Sequence, residues 1–222
     1  EIPIYAENHV REMLDRTVCY SPNFSFKPFN DADITVTFYS AGHIAGAVSI
    51  YITSSEGTLF YSGDFSGFRQ NSIEGASIPK LRPDVAIFES TYGDKLHANR
   101  EIEEQRLIDS INEVIGREGK VLIPAFALGR AQEIILILKK AMNKGKLTKC
   151  PVYVDGMVKD ICRVYKLYPN YLRQDLAKKV FRGTEIFYDD NVVSVEDREL
   201  RKEIAESKTA SVIIASSGML TG

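Results

Sequence analysis

His43 sits in the turn Ser40-Ala41-Gly42-His43-Ile44-Ala45-Gly46, and Asp64 in Tyr61-Ser62-Gly63-Asp64-Phe65-Ser66. An imidazole and a carboxylate at neighbouring strand ends are donors that can share one divalent ion. Each has a plainer reading alone: a hydrogen-bonded turn histidine and an Asx-turn aspartate. Glu89 ends an apolar run and is followed by Ser90-Thr91-Tyr92-Gly93-Asp94. A carboxylate there is costly to bury without a partner. It either caps its loop or acts as an acid that orients a ligand histidine. His97, in Asp94-Lys95-Leu96-His97, reads as a solvent-facing loop residue, with a substrate contact as the alternative. His9 falls on an amphipathic stretch and reads as structural. Lys139, Lys140, Lys144, Lys146 and Lys149 cluster at a helix end. They read as a solvated face that suits the helix dipole, with a polyanion contact as the alternative.

The elements that must position these residues follow from periodicity. Residues 6–14 have helical spacing, with Val10, Met13 and Leu14 on one face. Residues 20–29, rich in Pro, Asn and Phe, read as a loop. Residues 34–39, 47–52 and 58–61 read as strands, with a turn at 54–57. Residues 84–89 read as a buried strand from their near-continuous apolar character. From about residue 99 the pattern changes to strands alternating with helices. Helices are expected over 101–116, 129–144, 158–168, 171–180 and 195–206. Strands are expected over 120–124, 152–155 and 211–215. This alternation predicts a parallel sheet with helical crossovers. A boundary near residue 98 therefore separates two domains, 1–98 and 99–222. Ligands of a parallel sheet meet the loops at the carboxyl ends of its strands. Those are residues 124–130, 155–157 and 216–219, whose small residues can point backbone N–H groups at a phosphate. Arg130 can add a bidentate grip.

Composition narrows the function classes. The chain has 222 residues, 44% of them hydrophobic, enough for one large or two small globular domains. With 28 basic and 30 acidic residues the net charge is −2, so any nucleic-acid surface must be local. Cys19, Cys150 and Cys162 show no CxxC spacing, which suits reduced thiols of a cytoplasmic protein and argues against a thiolate zinc site. No apolar run approaches the roughly 20 residues that span a bilayer, so no membrane partner is expected. The chain opens at Glu1-Ile2-Pro3 and closes on Ser216-Ser217-Gly218-Met219-Leu220-Thr221-Gly222, which reads as an internal piece of a longer protein.

Five motifs in order carry a resemblance. They are Ala41–Gly46, Ser62–Phe65, Phe88–Asp94, Ile123–Glu133 and Ser216–Leu220. Together they resemble the β-CASP branch of the metallo-β-lactamase superfamily, which includes RNA-processing nucleases. The resemblance implies part of a metallo-β-lactamase αββα sandwich plus an α/β β-CASP cap with a mostly parallel sheet. It implies that His43 binds one zinc, that Asp64 bridges two, and that Glu89 supports a catalytic histidine, giving Asp64 and Glu89 catalytic roles. Arg130 and the turn Ser216, Ser217, Gly218 and Met219 would face RNA, single-stranded by expectation, and His97 stays a separate candidate for an RNA contact. A homodimer is left open. The family's His-x-His-x-Asp-His motif and its later histidine motifs are absent from this sequence. Only His43 and Asp64 are then offered to metal, and the piece alone is expected to be inactive. The alternatives are a non-catalytic RNA-binding or scaffold subunit, a DNA-processing nuclease of the same branch, and a small-molecule hydrolase of the wider superfamily.

Overall fold

The computed structural model describes residues 4–30 and 33–216. Two sheets divide the chain. The first begins after helix α1 (Glu7–Asp15) and has the order β1-β2-β3-β4-β5, from β1 (Ser25–Phe26), β2 (Ile34–Ser40), β3 (Val48–Ser54), β4 (Gly57–Tyr61) and β5 (Val85–Ile87). The first four strands are antiparallel neighbours, while β5 runs parallel to β4, with Tyr61 opposite Ile87. The strands β2, β4 and β5 therefore all point the same way. Their carboxyl ends share one edge, and the turns bearing His43, Asp64 and Glu89 leave from it.

The second sheet has the order β6-β9-β7-β8, from β6 (Lys120–Pro124), β7 (Val152–Asp155), β8 (Val192–Ser194) and β9 (Ser211–Ala215). All its pairings are parallel, as the alternating pattern implied. Its helices are α2 (Arg100–Gly116), α3 (Arg130–Asn143), α4 (Val158–Leu167), α5 (Gln174–Phe181) and α6 (Arg198–Glu206). Local chemistry sets their starts. The Asn99 side chain accepts from the N–H groups of Glu101 and Ile102, and the Asp197 side chain from that of Leu200. Ile108, Ile111 and Ile115 of α2 and Ile135, Leu138 and Met142 of α3 join Val152, Val154, Val212 and Ile214 in one core. The α/β class with a parallel sheet is thus the observed one.

Several local expectations are corrected. Residues 20–29 are not all loop: Ser25–Phe26 pairs with β2, supported by Tyr20 stacked on Phe26 at 3.5 Å. The helix expected over 171–180 starts only at Gln174, because Pro169–Tyr171 forms a 3-10 turn first. The stretch 192–194 is strand, and the following helix starts at Arg198 rather than at 195. Three residues of strand carry too little pattern to be read locally; β8 exists because β7 offers it a free edge. The strand near 84–89 is not buried, since Val85, Ile87 and Phe88 are 56%, 49% and 58% exposed. It pairs only with β4, at the sheet's edge, and among the described residues its side chains are about half covered, Phe88 by Phe60 and Phe65. Val10, Met13 and Leu14 of α1 are likewise exposed. Among the described residues no helix is long and apolar enough to cross a membrane.

Candidate functional site

His43 and Asp64 are brought together. His43 Nε2 stands 3.9 Å from Asp64 Oδ2, too far for a hydrogen bond, with the imidazole half-buried and the carboxylate exposed. A tetrahedral zinc with bonds of about 2.0–2.2 Å holds its donors roughly 3.3–3.5 Å apart. A small side-chain rotation would bring this pair to that spacing, and imidazole with carboxylate is a fitting donor set. Among the described residues no group of three or more His, Cys, Asp or Glu side chains is placed to hold a metal ion. The fit is therefore that of a partial ligand set.

The turn that carries His43 is built tightly. Gly42 has φ +67°, and a Cβ there would stand 2.2 Å from the Ala76 nitrogen and 2.5 Å from the Ser66 oxygen. Only glycine satisfies both the left-handed backbone and this approach. The Gln70 amide donates from Nε2 to the carbonyls of Gly42 and His43, both at 2.9 Å. Ser66 N–H donates to the Ala41 carbonyl at 2.8 Å. On the Asp64 side, Ser49 Oγ donates to the Ser62 carbonyl and Ser62 N–H to that of Ile87. Glu89 N–H donates to Ser62 Oγ at 3.0 Å, so the Asp64 and Glu89 turns are tied to each other. The Glu89 carboxylate accepts from Thr91 N–H at 2.8 Å. It caps its own loop, as the plainer reading expected.

The second sheet presents its carboxyl edge to the His43 turn. Gly129, just before α3, has φ +84°, and a Cβ on it would come within 2.7 Å of Ile44 Cγ2. The residue after the histidine thus packs directly on the start of α3. At the α3 end of this turn the N–H groups are not free for a phosphate. Gly129 N–H donates to Gln132 Oε1, Arg130 N–H to the Leu128 carbonyl and Ala131 N–H to the Phe126 carbonyl. The same holds at residues 155–157, where Gly156 N–H donates to Asp155 Oδ1 and Met157 N–H to Ser216 Oγ. These N–H groups already have internal acceptors, and the Arg130 side chain stands exposed beside them.

The other candidates separate. The His97 ring lies against that of Tyr92, with centroids 4.5 Å apart and the planes tilted by 46°, both residues exposed in the loop after β5. Ser217, Gly218 and Met219 lie outside the described residues. Lys139 pairs with Asp189, while Lys140, Lys144 and Lys146 line a cavity of about 270 Å³ together with Glu101 and Glu104. That mixture is not a continuous basic stripe. His9 Nδ1 accepts from Ala6 N–H and caps α1. Cys150 and Cys162 are buried, and burial pushes both thiols up, keeping them protonated. At the second sheet's edge, Arg201 grips Asp155 through two bonds of 2.7 and 2.8 Å, which holds that carboxyl below its usual range.

Two residues near the site escape sequence reasoning. Gln70 acts over 27 residues of chain, and nothing local marks it. Glu133 is 4% exposed on the packed face of α3, where a carboxylate amid Ile135, Ile137 and Leu138 is the one available signal.

An α/β unit with a parallel sheet, docked against a sheet edge that carries His, Asp and Glu turns, defines the class. Residues 131–222 match the Beta-Casp domain model. The chain carries a Beta-Casp domain, and the β-CASP resemblance read from its ordered motifs is borne out. It is 34% identical over 227 residues to transcription termination factor FttA of Pyrococcus horikoshii, covering 99% of this chain and 34% of that protein. The factor of the same name from Methanothermobacter thermautotrophicus is 35% identical over 195 residues, covering 86% and 30% respectively. That of Lokiarchaeum is 33% identical over 196 residues, with 86% and 30% covered. The chain thus spans about a third of the length of these relatives.

Proposed function

We propose that this chain is the central portion of a longer zinc-dependent protein that cleaves RNA, acting in the setting that the relatives' name, transcription termination, describes. The observation that supports it is the meeting of His43 and Asp64, 3.9 Å apart, at an edge shared with Glu89 and faced by the start of α3. In this reading residues 1–98 are part of the metal-binding domain and residues 99–222 the β-CASP domain. His43 would offer an imidazole nitrogen and Asp64 a carboxylate to the metal. Zinc, when bound, supplies Lewis acidity at phosphorus and acidifies water toward neutral pH. Glu89 holds the loop after β5 against the Asp64 turn through its N–H to Ser62 Oγ and its carboxylate to Thr91. Arg130 faces a backbone phosphate with its guanidinium, and Tyr92 with His97 offers aromatic surface to a single-stranded base. The remaining ligands come from parts of the protein outside this sequence, so the portion alone is inactive.

The test is made in the full-length protein. Asp64→Ala should lower RNA cleavage by about a thousandfold, since metal stabilisation is worth several kcal/mol, while RNA binding stays measurable. Normal turnover in that variant would remove Asp64 from the metal site. For the 222-residue chain, two tightly bound zincs with robust cleavage would overturn the reading of it as a portion. RNA affinity should fall steeply with salt if phosphate contacts dominate, and Arg130→Ala should make that slope shallower.

A further inference from the structure

The long connection from β4 to β5, within the first sheet's stretch of chain, does more than join two strands. Gln70 holds the carbonyls of Gly42 and His43, and it is itself only 9% exposed. The next two residues are seized from the other side. Glu133 of α3 accepts from Asn71 N–H at 2.8 Å and from Ser72 N–H at 2.6 Å, and Ser72 Oγ donates to the same carboxylate. Arg100 of α2 completes the set, with Nη2 2.6 Å from Glu133 Oε2. Ile73 then inserts into the core of the α/β unit at 3% exposure. Arg173, preceding α5, donates its N–H to the Ser72 carbonyl at 2.9 Å and its guanidinium to the carbonyls of Gln70 and Asn71. Four consecutive residues are therefore pinned to one unit, and the first of them holds the turn of the other.

We propose that residues 70–73 form a strap by which the α/β unit sets the position of His43, with Gln70 as the positioning residue and Glu133 as the anchor. This rests on the reading of His43 as a metal ligand only for its functional consequence; the coupling itself stands on the hydrogen bonds. A leucine at position 133 would serve helix packing at lower desolvation cost. A buried carboxylate accepting from two successive backbone N–H groups instead fixes the conformation of the strap it binds. Gln70 has no choice of partner once the strap is fixed: its amide reaches the two carbonyls that flank the His43 peptide. Any shift of α3 relative to the first sheet must drag the strap, and with it the backbone of the candidate ligand. The direct contact of Gly129 on Ile44 makes the same junction from the other side of the turn.

Residue-resolved hydrogen exchange on the metal-free 222-residue chain tests the coupling without activity. Glu133→Gln should speed exchange at the Ala41, Ala47 and Ser66 amides by about tenfold or more, although Glu133 makes no hydrogen bond to that turn. The Val154 and Val212 amides of the second sheet should stay within about twofold of wild type. Gln70→Ala should loosen the 41–47 turn equally but leave the Asn71 and Ser72 amides protected. Wild-type exchange at Ala41 and Ala47 in either variant overturns the strap. If Glu133→Gln unfolds the chain outright, the Gln70→Ala result decides alone. In the full-length protein, Gln70→Ala should also weaken zinc affinity about tenfold, a change of about 1.4 kcal/mol. If the wild type binds zinc and Gln70→Ala binds it with unchanged affinity, the positioning role is overturned. A full-length protein that binds no zinc defeats the metal reading instead, and the exchange result still judges the strap.

Discussion

The two sheets of this molecule are stabilised in different ways. In the second, Phe187, Leu138 and Val152 are fully enclosed, and helices cover the strands from within the same stretch of chain. In the first, Val36, Ala41 and Phe60 are buried, yet Val85, Ile87 and Phe88 stand about half exposed or more. The second unit holds itself together by apolar burial, at about 25 cal/mol per Å². The edge of the first that carries the candidate site is instead ordered by hydrogen bonds in turns, by a left-handed glycine and by its grip on the second unit. Order without a full core is suited to a site, because turns at a strand edge keep donors exposed where ligands can reach them.

The contrast can be broken most severely in the second core. Phe187→Ala should destabilise the α/β unit by about 3–5 kcal/mol, read by denaturant unfolding. A loss under about 1 kcal/mol would mean that this core is not what holds the unit. At the junction, Gly129→Ala meets both an unfavourable φ and Ile44, and should cost about 1–3 kcal/mol. Its spectroscopic signature should appear at residues 43–46 as well as in α3; an effect confined to α3 would separate the units.

Acid should act on the second unit by a smaller amount. The Arg201 guanidinium is the main reason Asp155 titrates low, against the opposing effect of burial. Burial also opposes ionisation of Glu185 and Asp189, but for Glu185 the Lys166 ammonium and the N–H groups of Phe187 and Tyr188 outweigh it. For Asp189 the Asn191 N–H and Lys139 do the same. A carboxyl with a depressed folded pKa stabilises fully above its unfolded value and loses that contribution as pH falls through the folded one. Unfolding free energy should therefore decline below about pH 4, by under about 1 kcal/mol for each partly exposed pair. Asp155→Asn should remove its share of that decline, and an unchanged pH profile would sever the link to Arg201. The smallest effect belongs to the first sheet's edge: Ile87→Thr should change stability by less than about 0.5 kcal/mol. A larger loss would show that β5 is better covered than its 49% exposure indicates.

Much of the second unit was legible because its information is local. Helical spacing in α2 and α3 and the apolar runs at β6, β7 and β9 need no distant partner to be read. β5 was legible as a strand but not as an exposed one, since an apolar run says nothing about what covers it. β8 and β1 were missed because such short strands exist by pairing, not by pattern. In the site, His43 and Asp64 were readable from residue type and turn chemistry. Of the N–H groups read as able to meet a phosphate, those of Gly129, Arg130 and Met157 instead find acceptors at Gln132, Leu128 and Ser216, which no local pattern signals.

The sequence by itself determined the alternation that makes a parallel sheet, the ordered motifs of a β-CASP chain, and the residue types at the strand ends. These are properties of neighbours along the chain, where periodicity and turn preference act. Only the tertiary structure decided that His43 and Asp64 approach to 3.9 Å, that Gly129 seats on Ile44, and that Glu133 binds the strap whose Gln70 holds the His43 turn. Those contacts join residues about 20 to 90 positions apart, and no local preference encodes them; they arise when burial of the α/β core fixes where α3 begins.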